Sequence, residues 1–215
     1  MLEEFANKYR MVDLSVLLVP GHEERRLEIR KGLIPHDRTV MHEIDTMSHI
    51  GTHIEAPLHF YEDGKDVTEL PLWAYMGNAV LLDVRFDGPG GKIDPPLLER
   101  EVGPLLRPGY IVIIRNTGKG FKDGDEKPSL TIEAASWLAD RKIKMLGFDP
   151  AITIGTTVDE IRTIHDILMK HDITFLEVLA NLHELKKREF YLLALPWNVK
   201  GLDSSPVRAI ALELI

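Results

Sequence analysis

The chain has 215 residues, 44% hydrophobic and 28% charged, an ordinary makeup for a globular protein and enough for one sizeable domain or two small ones. A formal net charge of −8 and the lack of any long Lys/Arg block argue against a nucleic-acid surface, which needs a basic footprint. With no cysteine, disulfides, thiolate catalysis and Cys-ligated zinc are excluded.

The N-terminal stretch MLEEFANKYRMVDL carries acids and no apolar segment, so it does not read as a secretory leader. No apolar run approaches the ~20 residues that span a bilayer. These features point to a cytoplasmic protein with no membrane partner.

In chain order, the first apolar, β-branched run predicts a strand at 12–19 (VDLSVLLV), and the next predicts one at 40–47. Residues 48–60 (SHIGTHIEAPLHF) follow, then a strand at 79–85 and a turn-rich loop, FDGPGGKIDPP, at 86–96. DPPLLEREV (94–102) opens with an Asp cap and prolines and predicts a helix. A strand at 110–115 leads into the polar loop 116–129, of a length that is functional or mobile in a compact domain. SLTIEAASWLADRK (129–142) predicts a helix opened by Thr131, followed by a strand at 143–148. In 157–171, Ile161, Ile164, Ile167 and Leu168 share one stripe of an amphipathic helix. Strands at 190–195 and 207–214 close the chain. Strands outnumber helices without strict alternation, so the expected fold is one α/β domain over 1–215 with a mixed sheet.

The chemistry concentrates in 48–60. A helix would put Glu55 about 240° around from His49, and Pro57 opposes helix at Ala56. In an extended chain His49, Gly51, His53, Glu55, Pro57 and His59 share one parity, so the candidate ligands point one way. Ile50, Ile54 and Leu58 would then back onto the core, and Gly51 would leave room for an ion or substrate. A solvated strand edge is the plain alternative, but three imidazoles and a carboxylate opposed by aliphatics favour a metal site.

HIGTHIEAPLH resembles the HxGTHxDxPxH signature of the metal-dependent cyclase-type hydrolase family, which includes bacterial kynurenine formamidase and isatin hydrolase. The resemblance continues in HDILMKHDITFLE, where His165 and Glu177 stand at the family's twelve-residue interval. It extends to residues 203–214, where a Ser-Pro-x-Arg segment introduces the last strand. The resemblance implies a swivelling β/α/β domain around a closed, barrel-like mixed sheet flanked by helices, usually a homodimer or higher homo-oligomer. It also implies metal ligands His49, His53, Glu55, His165 and Glu177, with Glu55 and Glu177 bridging and His59 as general acid/base. The family's Asp is Glu55 here, whose extra methylene carries the carboxylate outward by roughly 1.5 Å. The aromatic residues that often follow DLS are absent from DLSVLLVPGHEERR (13–26).

On one straight helix His165 and Glu177 would lie about 18 Å apart, so the chain must turn between them, and 171–174 is the expected place. A His/carboxylate set without thiolates suits zinc or manganese, one or two ions per subunit. The expected activity is hydrolysis of a small-molecule amide, such as an N-formyl aryl amide or cyclic amide. The rivals are a lyase or cyclase using enolate stabilisation and an inactive metal-binding homologue. HEIDT at 42–46 and HELKK at 183–187 lack the second His of a zincin. Trp73 and Tyr75 read either as pocket or as core, His171 as a donor to a ligand or a helix end, and Asp149 as a turn former at the rim.

Overall fold

The apolar runs at 79–82 and 111–114 are buried on both faces, as central strands require, and they form the middle of a nine-stranded sheet. The computed structural model describes residues 7–120, 122 and 124–215. Residues 1–6 of the stretch read for leader character, and residues 121 and 123 of the polar loop, lie outside the described residues.

The first strands are β1 (Tyr9–Asp13), β2 (Leu27–Leu33), β3 (Val40–Thr46), β4 (His53–Glu55), β5 (Met76–Val84), β6 (Lys92–Ile93) and β7 (Ile111–Asn116). The remainder are β8 (Ser129–Leu130), β9 (Met145–Phe148), β10 (Thr153–Ile154), β11 (Thr174–Glu177), β12 (Glu189–Leu193), β13 (Ser204–Pro206) and β14 (Ile210–Leu214). Three α-helices are described: α1 (Pro95–Glu101), α2 (Ile132–Asp140) and α3 (Val158–Met169).

The large sheet runs β1-β14-β12-β5-β7-β9-β11-β4-β13 and curls strongly into a half-barrel. Its centre, β5-β7-β9-β11, is parallel, and both flanks are antiparallel. A small parallel sheet, β10-β8-β6, and the hairpin β2-β3 stand apart from it.

Alternation along the strands divides the interior in two. Val80, Leu82, Val112 and Ile114 pack with Leu98, Ala134, Leu138, Ile164 and Leu168 of the helices. Leu81, Ile113, Leu176 and Leu192 belong to a second core on the sheet's other face. Each fully buried Leu or Ile contributes about 1.5–3 kcal/mol, so the helices are held mainly by this apolar contact.

The helix starts match their sequence signals. Asp94, Thr131 and Thr157 each accept a backbone N–H with the side chain at the first turn. Ser129 and Leu130, just ahead of the Thr131 cap, form strand β8. The first expected strand, 12–19, is displaced to β1 and ends at Asp13, where the side chain accepts Ser15 N–H and turns the chain. Strand β2 was not expected, because its Glu28, Arg30, Lys31 and Gly32 break the apolar signal. Tyr75 is core, its hydroxyl donating to Val67 O at 2.8 Å, whereas Trp73 is exposed. His171 is exposed just past α3. Asp149 is the turn former expected, accepting Ala151 N–H at 2.8 Å. Among the described residues no helix is long and apolar enough to cross a membrane.

Candidate metal centre

The extended reading of residues 49–59 holds only for β4. Gly51, at φ 58°, bends the chain before it, and Pro57–His59 is a 3-10 turn after it. A Cβ at Gly51 would meet the Leu18 side chain at 2.6 Å, so the missing side chain makes room for the 16–18 segment rather than for an ion. The histidines converge because bends at both ends of a three-residue strand fold them inward, not because one long strand presents them in parity.

Register supplies the rest. β11 pairs with β4 so that Glu177 lies opposite His53 and Phe175 opposite Glu55, and β13 places Ser204 opposite Glu55 on the other side. Directly opposed residues share a face, so His53, Glu55 and Glu177 project together. The chain turns at Asp172 (φ 57°) between α3 and β11, which brings His165 of α3 over the same face, against the Phe175 ring at 4.9 Å.

Glu55 is the hub. Its Oε1 lies 2.9 Å from His49 Nδ1, 3.6 Å from His53 Nε2 and 3.8 Å from His59 Nε2, and its Oε2 lies 3.6 Å from His165 Nε2. Glu177 Oε2 is 3.8 Å from His53 Nε2. All six residues singled out in the sequence therefore meet. Two groups among the described residues bring one ligand atom each within 4.8 Å of one another and could hold a cation: His49/Glu55/His59 and His53/Glu55/Glu177. The first group includes His59, which the sequence reading reserved for proton transfer.

The donors present suit a divalent ion. His53 Nδ1 pairs with Gly51 O at 2.7 Å and His165 Nδ1 with Ile161 O at 2.8 Å. Carbonyls only accept, so both rings carry the proton on Nδ1 and turn a bare Nε2 inward, as ligating imidazoles do. His53 Nε2 and Glu55 Oε2 are buried with no hydrogen-bond partner, and contacts of 3.6 Å are too long to serve as hydrogen bonds. Such a pair left unsatisfied is costly, and a cation between them satisfies both.

The carboxyls are driven apart. Burial pushes Glu55 up, but His165 and His53, with the charge of His59, outweigh it and hold Glu55 at about 2. Burial and the neighbouring Glu55 charge push Glu177 up to about 7, against the pull of His53, His165 and Arg25. Burial lowers His53 and His165, yet Glu55 and the backbone carbonyls raise both overall.

Two features had no sequence signal. Asp203 Oδ2 lies 2.7 Å from His49 Nε2 and 3.2 Å from His59 Nδ1. Thr52 Oγ1 donates to Val178 O at 2.7 Å and accepts Val16 N–H at 3.0 Å. Val178, directly after Glu177, sits at φ 56°, a left-handed conformation that costs a β-branched residue about 1–3 kcal/mol. The Thr52 clamp holds that strained carbonyl and with it the direction of Glu177.

Over the site opens a cavity of about 330 Å³, lined by His49, His53 and Glu177 at its floor and by Val16, Leu17 and Arg25 among its walls. Among the described residues, no aromatic side chain other than imidazole lines it. Arg25 donates to the His49 carbonyl and ties the wall to the floor.

Residues 12–153 match the protein family described as Putative cyclase. Kynurenine formamidase of Bacillus mycoides (strain KBAB4) is 34% identical over 168 residues, 77% of either chain. The chain belongs to this family. Kynurenine formamidase of Erythrobacter litoralis (strain HTCC2594) is 34% identical over 172 residues, 79% of this chain and 76% of that one. Isatin hydrolase A from Labrenzia aggregata, bound to benzyl benzoate, superposes with a TM-score of 0.77 at 25% identity, covering 96% of this chain and 94% of that one. This cyclase-family member is thus a metal-dependent hydrolase by family, and its half-barrel is the family's fold.

Proposed function

We propose that the protein hydrolyses a small C–N amide bond, such as an N-formyl aryl amide or a cyclic amide. In this reading His49, His53, Glu55, His165 and Glu177 hold one or two divalent cations, zinc or manganese. The observation that carries the reading is the buried, unpartnered pair of His53 Nε2 and Glu55 Oε2 at the meeting point of four imidazoles. The names of the relatives, kynurenine formamidase and isatin hydrolase, supply the bond class.

A divalent cation supplies a carbonyl-polarising charge and lowers the pKa of a water from about 16 to about 7. The chain does the remaining work. Glu55 and Glu177 provide the negative charge and His53 and His165 the neutral donors that keep such an ion in place. His59 Nε2 takes a proton as water adds to the carbonyl and returns it to the nitrogen as the C–N bond breaks, leaving a carboxylic acid and an amine. Val16 and Leu17 give the substrate an apolar wall, and a cavity of about 330 Å³ limits it to a small molecule.

The test is metal quantification on purified protein together with a screen of N-formyl aryl amides, isatin-like lactams and carbamates in ¹⁸O-labelled water. Label in the acid product is expected. Turnover without label points to a lyase and overturns the reading. The homo-oligomer expected from the resemblance is part of the same proposal, and sedimentation equilibrium checks it.

A further inference from the structure

One carboxylate outside the proposed ligand set touches two of the imidazoles. Asp203 immediately precedes β13, and its carbonyl accepts Ala56 N–H at 2.9 Å, continuing the ladder that sets Ser204 opposite Glu55. Its backbone is therefore fixed to the strand that carries Glu55. Its Oδ1 accepts from Ser48 Oγ at 3.0 Å. Oδ2 is left for both His49 Nε2 at 2.7 Å and His59 Nδ1 at 3.2 Å.

An ionised carboxylate only accepts hydrogen bonds, so each ring must turn an N–H towards Oδ2. For His59 this selects the Nδ1–H form and leaves Nε2 bare, 3.8 Å from Glu55 Oε1 and facing the reacting centre. For His49 it places Nε2–H on Asp203, while Nδ1 faces a second acceptor, Glu55 Oε1, at 2.9 Å, so Asp203 holds this ring without alone fixing its tautomer. In water a neutral histidine side chain favours Nε2–H, so His59 without a partner would direct its proton, not its lone pair, at the centre. The two rings also lie against each other, with centroids 4.4 Å apart, so rotation of one disturbs the other.

We infer that Asp203 is a positioning residue, one carboxylate that sets the tautomer of His59 and holds the His49 ring beside it, and so couples ion holding to proton transfer. A carboxylate orienting the base is the arrangement that nucleophilic triads use, and a carboxylate behind a ligating imidazole tightens metal binding. Here one oxygen serves both. The inference rests on the proposed role of His59 as acid–base, and the experiment separates the two.

Histidine ¹⁵N spectra are recorded on zinc-loaded protein at alkaline pH, for the wild type, Asp203→Asn and Asp203→Ala, with His59→Ala assigning the signal. Turnover of N-formylanthranilate and of p-nitrophenyl acetate is measured at saturating zinc. The wild type is expected to show His59 as Nδ1–H, and Asp203→Ala to move it towards Nε2–H. In both variants kcat for the formamide should fall roughly 10²- to 10⁴-fold with KM little changed. The activated ester, whose leaving group needs no proton, should lose far less, and zinc affinity should fall about 10- to 100-fold. Asp203→Glu should recover part of the loss. His59 found as Nε2–H in the wild type, or unchanged tautomer and kcat in Asp203→Ala, overturns the inference. A tautomer shift on going from wild type to Asp203→Ala, in a protein whose wild type cleaves no amide, sinks the amide reading and supports the role of Asp203.

Discussion

Glu55 has the imidazoles of four histidines within 3.8 Å of its two oxygens. The longer side chain, where the family signature has Asp, reaches from β4 to His165 on α3. Glu55→Gln keeps the shape and removes the charge, so bound metal is expected to drop to a small fraction of wild type by elemental analysis. His53→Ala should likewise lose metal. His59→Ala should keep metal and lose turnover by roughly 10²- to 10⁴-fold. Equal metal loss in both histidine variants would assign His59 to the ion, as its place in the His49/Glu55/His59 group allows. At this scale His49, His53, Glu55 and His59 were readable in the sequence because their types and spacing are local, whereas His165 and Glu177 entered only through the family resemblance. Asp203 was not readable, since it acts on His49 across 154 positions and on His59 across 144. Its neighbours Ser204 and Ser205 read as contacts to substrate or a proton path or, sufficiently, as turn chemistry, within a segment that resembles the family's but singles out no aspartate.

Helix α3 shows how an element holds a site residue. Ile164 and Leu168 anchor one face in the core, which leaves His165 beside them at 9% exposure, pointing at β11 and β4. Thr157 caps the first turn by accepting Glu160 N–H at 3.2 Å. Thr157→Ala should lower stability by about 1 kcal/mol in urea unfolding and weaken metal binding, because fraying at the start of α3 propagates to His165. A variant that loses stability with metal affinity intact would show that the far end of α3 is held by packing alone. The helices were readable because caps and apolar stripes are local signals. The span 49–59 was read as longer strand than it is, since parity reports only which residues share a face. It does not register a left-handed Gly51 or a 3-10 turn at Pro57. Strand β2 stayed hidden because the β2-β3 hairpin stands apart from the main sheet and has little apolar face to declare.

Across the whole molecule, the site trades stability for ligand geometry, and pH exposes the trade. In metal-free protein Glu55, held at about 2, contributes stability above its ordinary 4.5 and loses it as pH falls towards 2. Glu177, pushed up to about 7, acts in the opposite sense. The native state binds its proton more tightly, so stability is greatest below 4.5 and declines as pH rises through 7. His53 and His165, both raised, likewise add stability below 6.5 and lose it as pH rises through their folded values. The Tm of chelator-treated protein should therefore fall between about pH 5 and 8, while the increase on adding zinc should grow over the same range as ligands deprotonate. A metal-free Tm that rises over that interval would contradict the assigned electrostatics.

Composition, periodicity and short motifs determined the α/β class, the capped helices, most strand positions and the cluster His49, His53, Glu55 and His59, because each depends on neighbours within a few positions; His165 and Glu177 were legible only through the resemblance to a family. Tertiary structure alone decided the curl of the sheet, the register that sets Glu177 opposite His53, and the meeting of Asp203 with His49 and His59. Those depend on which distant strands pair, and pairing is chosen by packing the whole core at once rather than by any local stretch of chain.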